Sequence, residues 1–433
     1  MLLSKRPYFP VLSYLRGLRS NDLALNSAYM LGSQISSALL QTVQFLLLAR
    51  ALGSHEFGVV ASILAITSAL LPFSSLCLGN VAIMRISRGE AGVGEALGNG
   101  LAVTTVTAVI GVGLALLLGR MFLGEPGMWL LMLLFGLSEF LLTKYIDIAA
   151  HVFLARDQHG VAACFLNLHL LVRLACAMAL WWGWTQPTAL AWAQLHLAAG
   201  ALTSGVVLLA TVRLVGRPRM DWQGAIRDMK TGVFFSITTA ARNVQTDVDK
   251  VVVARMESPA IAGAYTAAFR LVYMACTPVV ANMFALRTRL FRTGHHGAIA
   301  GPLGELRGMI PLAGGYCVLV AAALYVAGPA MPWLLGPSYQ LSSNVLQGLC
   351  LLPLLLAVQS VCSEALAGAN EQRSLSLLYG VTAALSLLLN VELVTRYGWR
   401  GAVMAAYGTQ AVLVIGLLVK IGLKLRAERE ARR

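Results

Sequence analysis

The sequence predicts an all-α integral membrane protein with about twelve transmembrane helices, in two parallel six-helix bundles around a central cavity. Of 433 residues, 58% are apolar and only 12% are charged, which is more apolar surface than one soluble core of this size can bury. Apolar windows of about 20 residues, the length that crosses a bilayer, recur along the whole chain. An internal repeat relates the two halves of the chain.

Short links rich in Gly, Pro, Arg and His separate the apolar windows, and no room is left for a separate soluble domain. We number the predicted helices as spans one to twelve. They are Leu23–Leu48, Phe57–Met84, Ala96–Leu118, Met128–Phe153, Val161–Trp182, Thr188–Val212, Gly232–Val253, Ile261–Leu286, Gly308–Ala327, Leu341–Ser363, Ser374–Val394 and Gly401–Ile421.

The orientation follows from basic residues in short loops, which favour the cytoplasmic side of a membrane. One set of loops collects most of them, together with both tails and with Lys5, Arg6, Arg16 and Arg19 near the start of the chain. We therefore expect both termini in the cytoplasm. The opposite set of loops holds only Arg50, Arg120, Arg255, Arg396 and Arg400.

Composition also excludes several classes of function. The net charge of +14 lies mostly at cytoplasmic span ends, where it attracts anionic membrane lipids. The basic residues are dispersed and form no nucleic-acid-binding fold, so nucleic acid is not an expected partner. The seven cysteines all fall inside predicted spans without CxxC spacing, which predicts neither metal nor disulfide. No P-loop, dinucleotide fingerprint, zinc motif or nucleophile elbow occurs, so we expect neither a cofactor nor an enzyme.

The repeat appears when the sequence is shifted by 205 positions, which places Leu48-Ala49-Arg50 on Val253-Ala254-Arg255 and Gly58 on Gly263. The same shift aligns polar residues of spans one and seven that step by three, four and three, and so share one helix face. The aligned residues are Gln34, Ser37, Gln41 and Gln44 in span one and Thr239, Arg242, Thr246 and Asp249 in span seven.

Spans one and seven both begin on the predicted cytoplasmic side, so the halves are parallel repeats, as in transporters that rock two bundles about a shared site. The repeat predicts a six-helix bundle over residues 1–212 and a basic cytoplasmic linker over residues 213–230. A second six-helix bundle with a basic cytoplasmic tail follows over residues 231–433.

Span seven carries Arg242, Asp247, Asp249 and Lys250 inside an apolar stretch. A charge at a helix centre costs about 2.5–3.5 kcal/mol, so it requires partners or a wet cavity. Asp247 and Asp249 are therefore candidate sites for a coupling ion, and Lys250 can pair with Asp247 three residues away. The alternative is a self-neutralised cluster that only fixes helix packing.

Span four places Glu139, Thr143, Asp147 and His151 at successive steps of four. Carboxylates on one helix face with a histidine at the end suit a proton or sodium pathway, because each group can exchange charge as its surroundings change. Glu139 and Asp147 are thus further candidates for ion coupling. The alternative is an ion-paired interior face, with Lys144 and Arg173 as counter-charges.

Arg173, Arg242 and Arg270 also lie within apolar spans. An arginine cannot release its proton, so each needs an anionic partner in the protein or in the cargo, and the planar guanidinium suits phosphate. We expect two of these three at a cavity wall. With Lys250 they are the candidate phosphate-binding residues.

The link Ala49–Gly58 and its repeat from Ala254 to Arg270 resemble those of the polysaccharide flippases of the multidrug/oligosaccharidyl-lipid/polysaccharide exporter superfamily. Members commonly show Arg-x-Leu-Gly-x-x-Glu-Phe-Gly after the first span and an acidic residue late in the seventh, which Asp249 matches. Leu335-Gly336-Pro337-Ser338-Tyr339 resembles the Gly-x-x-Tyr turn of the family. The resemblance extends over the whole chain in span number and loop length.

The resemblance implies a bacterial inner-membrane flippase that moves an undecaprenyl-diphosphate-linked oligosaccharide from the cytoplasmic to the periplasmic leaflet. Such proteins serve lipopolysaccharide O-antigen, capsule or exopolysaccharide assembly, beside a polymerase and other assembly proteins. The residues agree with this physically, because a phosphorylated sugar cannot cross hydrocarbon unaided, whereas a cationic, hydrated cavity can receive it. The coupling ion is left open between proton and sodium.

Three other functions compete with this one. A cation-coupled multidrug exporter of the same superfamily needs acidic cavity walls, and the arginines argue against it. The lipid II flippases of the superfamily usually carry two further spans. A membrane-embedded glycosyltransferase or polymerase needs a long outer loop with a catalytic acid or base, which the chain lacks.

Overall fold

The computed structural model describes residues 20–87, 89–123, 127–293 and 298–431. Lys5, Arg6, Arg16 and Arg19 lie outside these residues, as do Arg88, Arg432 and Arg433. Every regular element within the described ranges is helical, which confirms the predicted all-α class. The α-helices are Ser20–Leu70, Leu78–Ser87, Val93–Phe122, Met128–Gly136, Thr143–Leu154, His159–Gly183, Ala189–Val215, Trp222–Met256, Pro259–Thr293, Ala300–Arg307, Met309–Ala327, Met331–Leu335, Gln340–Leu349, Leu352–Gly368, Gln372–Tyr397 and Trp399–Ala431.

Within the described ranges, nine helices are long and apolar enough to cross a membrane, or ten if a bent pair counts as one span. The helix Ser20–Leu70 is broken at Gly53 and supplies two of the predicted spans. The helix Trp222–Met256 has 35 residues, and its charged residues reduce its hydropathy. Counted in this way, the helices agree with about twelve predicted spans.

Gly53 forms the corner between spans one and two. Its φ of 72° and ψ of 172° lie where a residue with a Cβ is strained, so glycine is required at this bend. The rings of Phe45 and Phe57 lie 5.7 Å apart across the corner. In a straight helix twelve residues extend about 18 Å, so the chain folds back on itself here.

Span two is not continuous, contrary to the predicted span Phe57–Met84. The helix ends at Leu70 and a new helix begins at Leu78, with Pro72 in the turn between them. Neighbouring helices satisfy the freed carbonyl groups, because Ser236 Oγ donates to Pro72 O at 2.9 Å and Thr107 Oγ1 donates to Ser74 O at 2.6 Å. Proline breaks are tolerated in membrane helices when neighbours provide such partners.

Two other spans deviate from regular α-helix. Span four contains a π-helical turn over Leu137–Leu142, which includes Glu139. Span ten bends by 55° between Pro337–Leu349 and Leu352–Gly368, and Pro353 lies at the start of its second piece. Such turns commonly mark functional positions in membrane helices.

We call the end of the bundle at which the described chain begins and ends the terminal end, and the opposite end the far end. At the far end the two repeats make the same contact twice. A Cβ added to Gly58 would lie 1.7 Å from Pro259 O, and one added to Gly263 would lie 2.0 Å from Ser54 O. The 205-residue shift converts Ser54 to Pro259 and Gly58 to Gly263. Because these positions hold no side chain, the backbones of the two corners touch.

The turn Leu335–Tyr339 reinforces this far-end contact. The hydroxyl of the fully buried Tyr339 donates to Ala49 O at 2.8 Å, and Ser54 N donates to Ser338 Oγ at 3.2 Å. Glu56 accepts a hydrogen bond from Ala189 N at 2.7 Å and so holds the start of span six. The corner and the turn therefore have a physical role, which is to close the far end.

At the terminal end, the chain between spans six and seven is fixed to span three. Arg219 N donates to Gly94 O at 2.8 Å, and Asp221 N donates to Asn99 Oδ1 at 2.8 Å. The buried Arg85 donates to both oxygens of Asp228 at 2.9 and 2.7 Å. A second ionic cluster joins Glu371 to Lys424 at 2.8 Å and to Lys420 at 3.2 Å.

Candidate functional site

A central cavity of about 1050 Å³ lies between helices of the first and second halves. Spans one, two, four, five and six line one side of it, and spans seven, eight, ten and eleven line the other. It widens toward the terminal end, where the lining residues Ile35 and Val280 are 58% and 52% exposed. The backbone contact of the two corners closes it toward the far end.

The polar side chains of the first-half wall are mainly uncharged. The entire predicted stripe of span one, Gln34, Ser37, Gln41 and Gln44, lines the cavity. Ser68 of span two adds a hydroxyl group, which donates to Asp247 Oδ2 at 2.7 Å. Amides and hydroxyls both donate and accept hydrogen bonds, so this wall can bind neutral polar groups such as sugar hydroxyls.

Arg242 and Arg270 supply free positive charge to the second-half wall. Both side chains line the cavity and are exposed to it. Arg242 lies over the ring of Tyr379 at 4.8 Å, and Arg270 donates to Gln41 Oε1 at 3.4 Å. Within the described ranges, neither guanidinium has a carboxylate within ion-pair distance. Their charge is therefore available to an anion in the cavity.

Arg173 is the third arginine of the cavity, so all three predicted arginines line it. Its guanidinium lies 3.6 Å from Glu139 Oε1, and the two side chains are only 19% and 14% exposed. Glu139 also accepts a hydrogen bond from His196 Nε2 at 2.9 Å. Spans four, five and six thus converge on one carboxylate at the cavity wall.

Lys250 is held by the two acidic residues of its own span. Its Nζ lies 2.5 Å from Asp247 Oδ1 and 3.6 Å from Asp249 Oδ1, and it also donates to Thr246 O at 2.7 Å. The lysine is buried and lies over the ring of Phe269. Two carboxyl groups surround this single lysine, so Asp247, Asp249 and Lys250 form one cluster.

Asp249 lies behind the central cavity and lines a second, small cavity of about 30 Å³. Its Oδ2 accepts a hydrogen bond from Tyr265 at 2.8 Å, and its Oδ1 accepts one from Lys250 N at 2.8 Å. Asn390 and Thr409 line the same space, and Asn390 Oδ1 is buried without a hydrogen-bond partner. The space is large enough for a water molecule or a small cation among oxygen ligands.

Asp147 does not line the central cavity, although it shares a predicted helix face with Glu139. It pairs with Lys144 at 3.4 Å and with His151 Nδ1 at 3.3 Å, within its own helix. Eight residues separate the two carboxylates, which is about 12 Å along the axis. The four-residue spacing of span four therefore produces two separate ion-paired groups and not one continuous column.

Sequence reasoning missed several residues of the site. His196 is a single histidine in an apolar span, and only its distance to Glu139, 57 residues earlier, marks it. Gln359 and Tyr379 reach the cavity from spans ten and eleven, where they bond each other at 3.0 Å. Isolated polar residues of this kind give no periodic signal. Within the described ranges, no three His, Cys, Asp or Glu side chains are placed to hold a metal ion together.

These observations define a multi-pass membrane protein with a polar, positively charged cavity between two sets of helices. The model of the polysaccharide biosynthesis protein family matches residues 23–287, which is more than half of the chain. The protein belongs to this family, which confirms the resemblance found in the sequence. No curated protein sequence matches the chain significantly.

Solved structures show the same fold. An inward-facing multidrug resistance MATE family transporter of the MOP superfamily has a TM-score of 0.74 at 13% identity, over 90% of this chain and 96% of the other. The lipid II flippase MurJ in an inward closed conformation gives 0.73 at 12% identity, over 92% and 87%. An outward-facing MATE family transporter gives 0.62 at 14% identity, over 97% and 100%.

Proposed function

We propose that the protein is a flippase that moves an undecaprenyl-diphosphate-linked oligosaccharide from the cytoplasmic to the periplasmic leaflet of the bacterial inner membrane. The observation that carries the proposal is the pair Arg242 and Arg270, which present uncompensated positive charge in a wide cavity within the membrane. Arginine forms strong, bidentate contacts with phosphate, and such contacts are stronger where water is partly excluded.

The two walls fit the two parts of such a cargo. The diphosphate would bind Arg242, Arg270 and Arg173, and the sugars would contact the amides and hydroxyls of span one. The cavity widens at the terminal end, which the basic loops assign to the cytoplasm, so the head group could enter there while the lipid tail remains in the bilayer. Lipopolysaccharide or exopolysaccharide assembly would supply and consume this cargo.

The transport cycle would move residues 1–212 and 231–433 against each other, with residues 213–230 as the connection. The far-end contact of Gly58 and Gly263 would open while the terminal end closes. In this cycle Asp247, Asp249 and Glu139 are our candidates for binding a coupling ion, either a proton or sodium. We do not assign Lys250 to the cargo, because it is paired with Asp247 and Asp249. We do not assign Asp147 to ion coupling, because it is paired with Lys144 in its own helix.

A cation-coupled multidrug exporter is the second candidate, because a MATE family transporter shares the fold. The acidic cluster of span seven favours it, since a lipophilic cation needs negative charge at the wall. The exposed arginines oppose it, because they repel a cation at the same depth. Resistance of cells to cationic dyes on overexpression separates the two functions.

The experiment that tests the proposal is Arg242→Ala in a cell whose surface polysaccharide depends on this protein. We expect surface polymer to be abolished and lipid-linked repeat units to accumulate, because the cavity loses a phosphate-binding group. Arg396→Ala is the matched control, since this exposed arginine pairs with Glu392 at the protein surface. Normal polymer in the Arg242→Ala cell would falsify the assignment of a diphosphate cargo.

A further inference from the structure

The Glu139 site contains more than an ion pair, because spans five and six each leave a buried polar atom there without a partner. The rings of Phe135 and Trp192 hold His196, which is fully buried, at 5.3 and 5.6 Å. His196 Nε2 bonds Glu139, whereas His196 Nδ1 and Arg173 Nε have no hydrogen-bond partner. The hydrogen bonds of this site therefore depend on the protonation state of His196.

The hydrogen bonds indicate which protonation state each imidazole has. Neutral His196 with its proton on Nε2 donates to Glu139, and its Nδ1 is then an unused acceptor. His169 Nδ1 similarly contacts Thr203 Oγ1 at 2.9 Å, and since Thr203 donates to Ala199 O, the histidine must be the donor. A second proton on either ring would create a buried N–H group without an acceptor. Both histidines therefore remain neutral, and the group left to take a proton is Glu139.

The charged and titratable groups near Glu139 are Arg173 and His169 of span five and His196 of span six. Arg270 of span eight lines the opposite wall of the same cavity. Arg173 and Arg270 carry like charges on facing walls of the same cavity, where these charges repel each other. An anion between them would relieve this repulsion. It would also compete with Glu139 for the same guanidinium, because Arg173 is the only cation paired with that carboxylate in the described residues.

We propose that Glu139 is a proton-binding site that the cargo itself opens. The diphosphate takes Arg173 from Glu139, and the carboxylate, now without its cation, binds a proton from the cavity water. The ion pair of Arg173 with Glu139 is exchanged for one of Arg173 with the diphosphate. The proton then neutralises the Glu139 carboxylate in place of Arg173. His196 positions the carboxylate through this exchange and keeps its own protonation state. The inference rests on the proposed function, since it requires an anionic cargo.

Binding of cargo and of a proton must then favour each other. The affinity for a diphosphate should rise as the pH falls, by up to about tenfold per pH unit if one proton is bound. A passive role of Glu139 as a counter-charge predicts no proton uptake. The two roles therefore differ in the number of protons taken up per bound diphosphate, which can be measured.

The test uses the full chain in lipid nanodiscs and UDP-glucose as the probe, because each of its phosphates carries one ester and one anhydride bond and so has no group that titrates near neutral pH. Titration calorimetry in two buffers of different ionisation enthalpy measures the protons taken up on binding. We expect about one proton per bound UDP-glucose for the wild type. Glu139→Gln should bind more tightly with no proton uptake, since it frees Arg173 but keeps an acceptor for His196.

Two further variants sharpen the result. Arg270→Gln should weaken binding several-fold but retain the proton uptake, because it removes a phosphate partner and leaves the exchange intact. Glu392→Gln is the matched control at the protein surface and should behave as the wild type. Binding without proton uptake in the wild type, or uptake that persists in Glu139→Gln, overturns the inference. Failure of the wild type to bind UDP-glucose overturns the proposed diphosphate cargo itself.

Discussion

Spans one and seven occupy equivalent places in the repeat, yet they present different chemistry to the cavity. Span one contributes five uncharged polar side chains, whereas span seven contributes the charged side chains of Arg242, Asp247 and Lys250. The corners that follow the two spans instead make the same backbone contact, through Gly58 and Gly263. The two halves are thus alike where their backbones touch and differ where their side chains line the cavity, which fits one shared closing contact with two different binding walls.

The largest effect is expected from disrupting the far-end contact, to which both halves contribute equivalent residues. Gly58→Val and Gly263→Val should each abolish transport, because a side chain at either position overlaps a backbone carbonyl of the opposite corner. Overpacking of this kind costs about 1–3 kcal/mol or more in the closed far end, so the protein should favour the form with that end open. Labelling of a cysteine placed at Gln44 by a membrane-impermeant maleimide measures the opening.

Gly113→Val is the matched control, since a Cβ at this position in span three meets open space. We expect it to leave both transport and labelling unchanged. Gly58→Val and Gly263→Val should also have effects of similar size, because each disturbs the same contact. A severe defect for only one of them would contradict the symmetric contact.

The second prediction concerns the part in which the halves differ. The shift places Lys250 on Phe45, so the first half has an apolar side chain where the second has a lysine. Lys250→Met leaves Asp247 and Asp249 without their shared cation and should lower the free energy of unfolding by about 2–4 kcal/mol. Thermal unfolding in detergent measures the loss.

The neutral triple variant Asp247→Asn, Asp249→Asn and Lys250→Met should recover most of that stability, because no unpaired charge remains. Transport should stay abolished if the cluster binds the coupling ion. A triple variant that transports normally would show that the cluster serves only to pack span seven, which is the alternative that the sequence leaves open.

The smallest effect is expected at the terminal end, where the second half has its own ionic cluster. Hydrogen bonds from Lys424 and Ser374 lower the pKa of Glu371 to about 2. A lowered pKa stabilises the folded protein above the ordinary value of 4.5, and this stabilisation is lost as the pH falls from there toward 2. Glu371→Gln should therefore melt below the wild type at pH 7, and the difference should narrow below pH 4.5.

Glu392→Gln, which removes an exposed carboxylate at the far end, is the control and should melt with the wild type at every pH. Transport at pH 7 should be similar for both variants, since neither residue lines the cavity. A melting difference for Glu371→Gln that is independent of pH would mean that the ion pairs with Lys424 and Lys420 do not stabilise the fold.

Much of this molecule could be predicted from the sequence because a membrane restricts the choices. Apolar windows of fixed length identify the spans, and a charge inside a span must face a partner or a cavity. This rule predicts two of Arg173, Arg242 and Arg270 at the cavity wall, where all three lie. Local interruptions were harder to predict. The break after Leu70 depends on hydroxyls of Ser236 and Thr107 that arrive from other helices.

The part of the site that could not be predicted from the sequence depends on contacts between distant spans. His196 acquires meaning only when helix packing brings it to Glu139, and spacing alone does not reveal which neighbours a carboxylate has. The same limit explains Asp147, whose four-residue spacing from Thr143 and His151 predicts a shared face but not the depth at which the cavity ends. Patterns along one helix therefore predict faces, whereas tertiary packing decides which of them meet.

The helix Trp222–Met256 connects the terminal end of the protein to the charged cluster of span seven. It is about 52 Å long, it is anchored near its start by the buried pair of Asp228 and Arg85, and it carries Lys250 close to its other end. A rigid rod that is held at one tip acts as a lever. A small tilt at the anchored tip becomes a displacement of several ångströms at the charged cluster, so movements at the terminal end and at the cluster near the far end are mechanically linked.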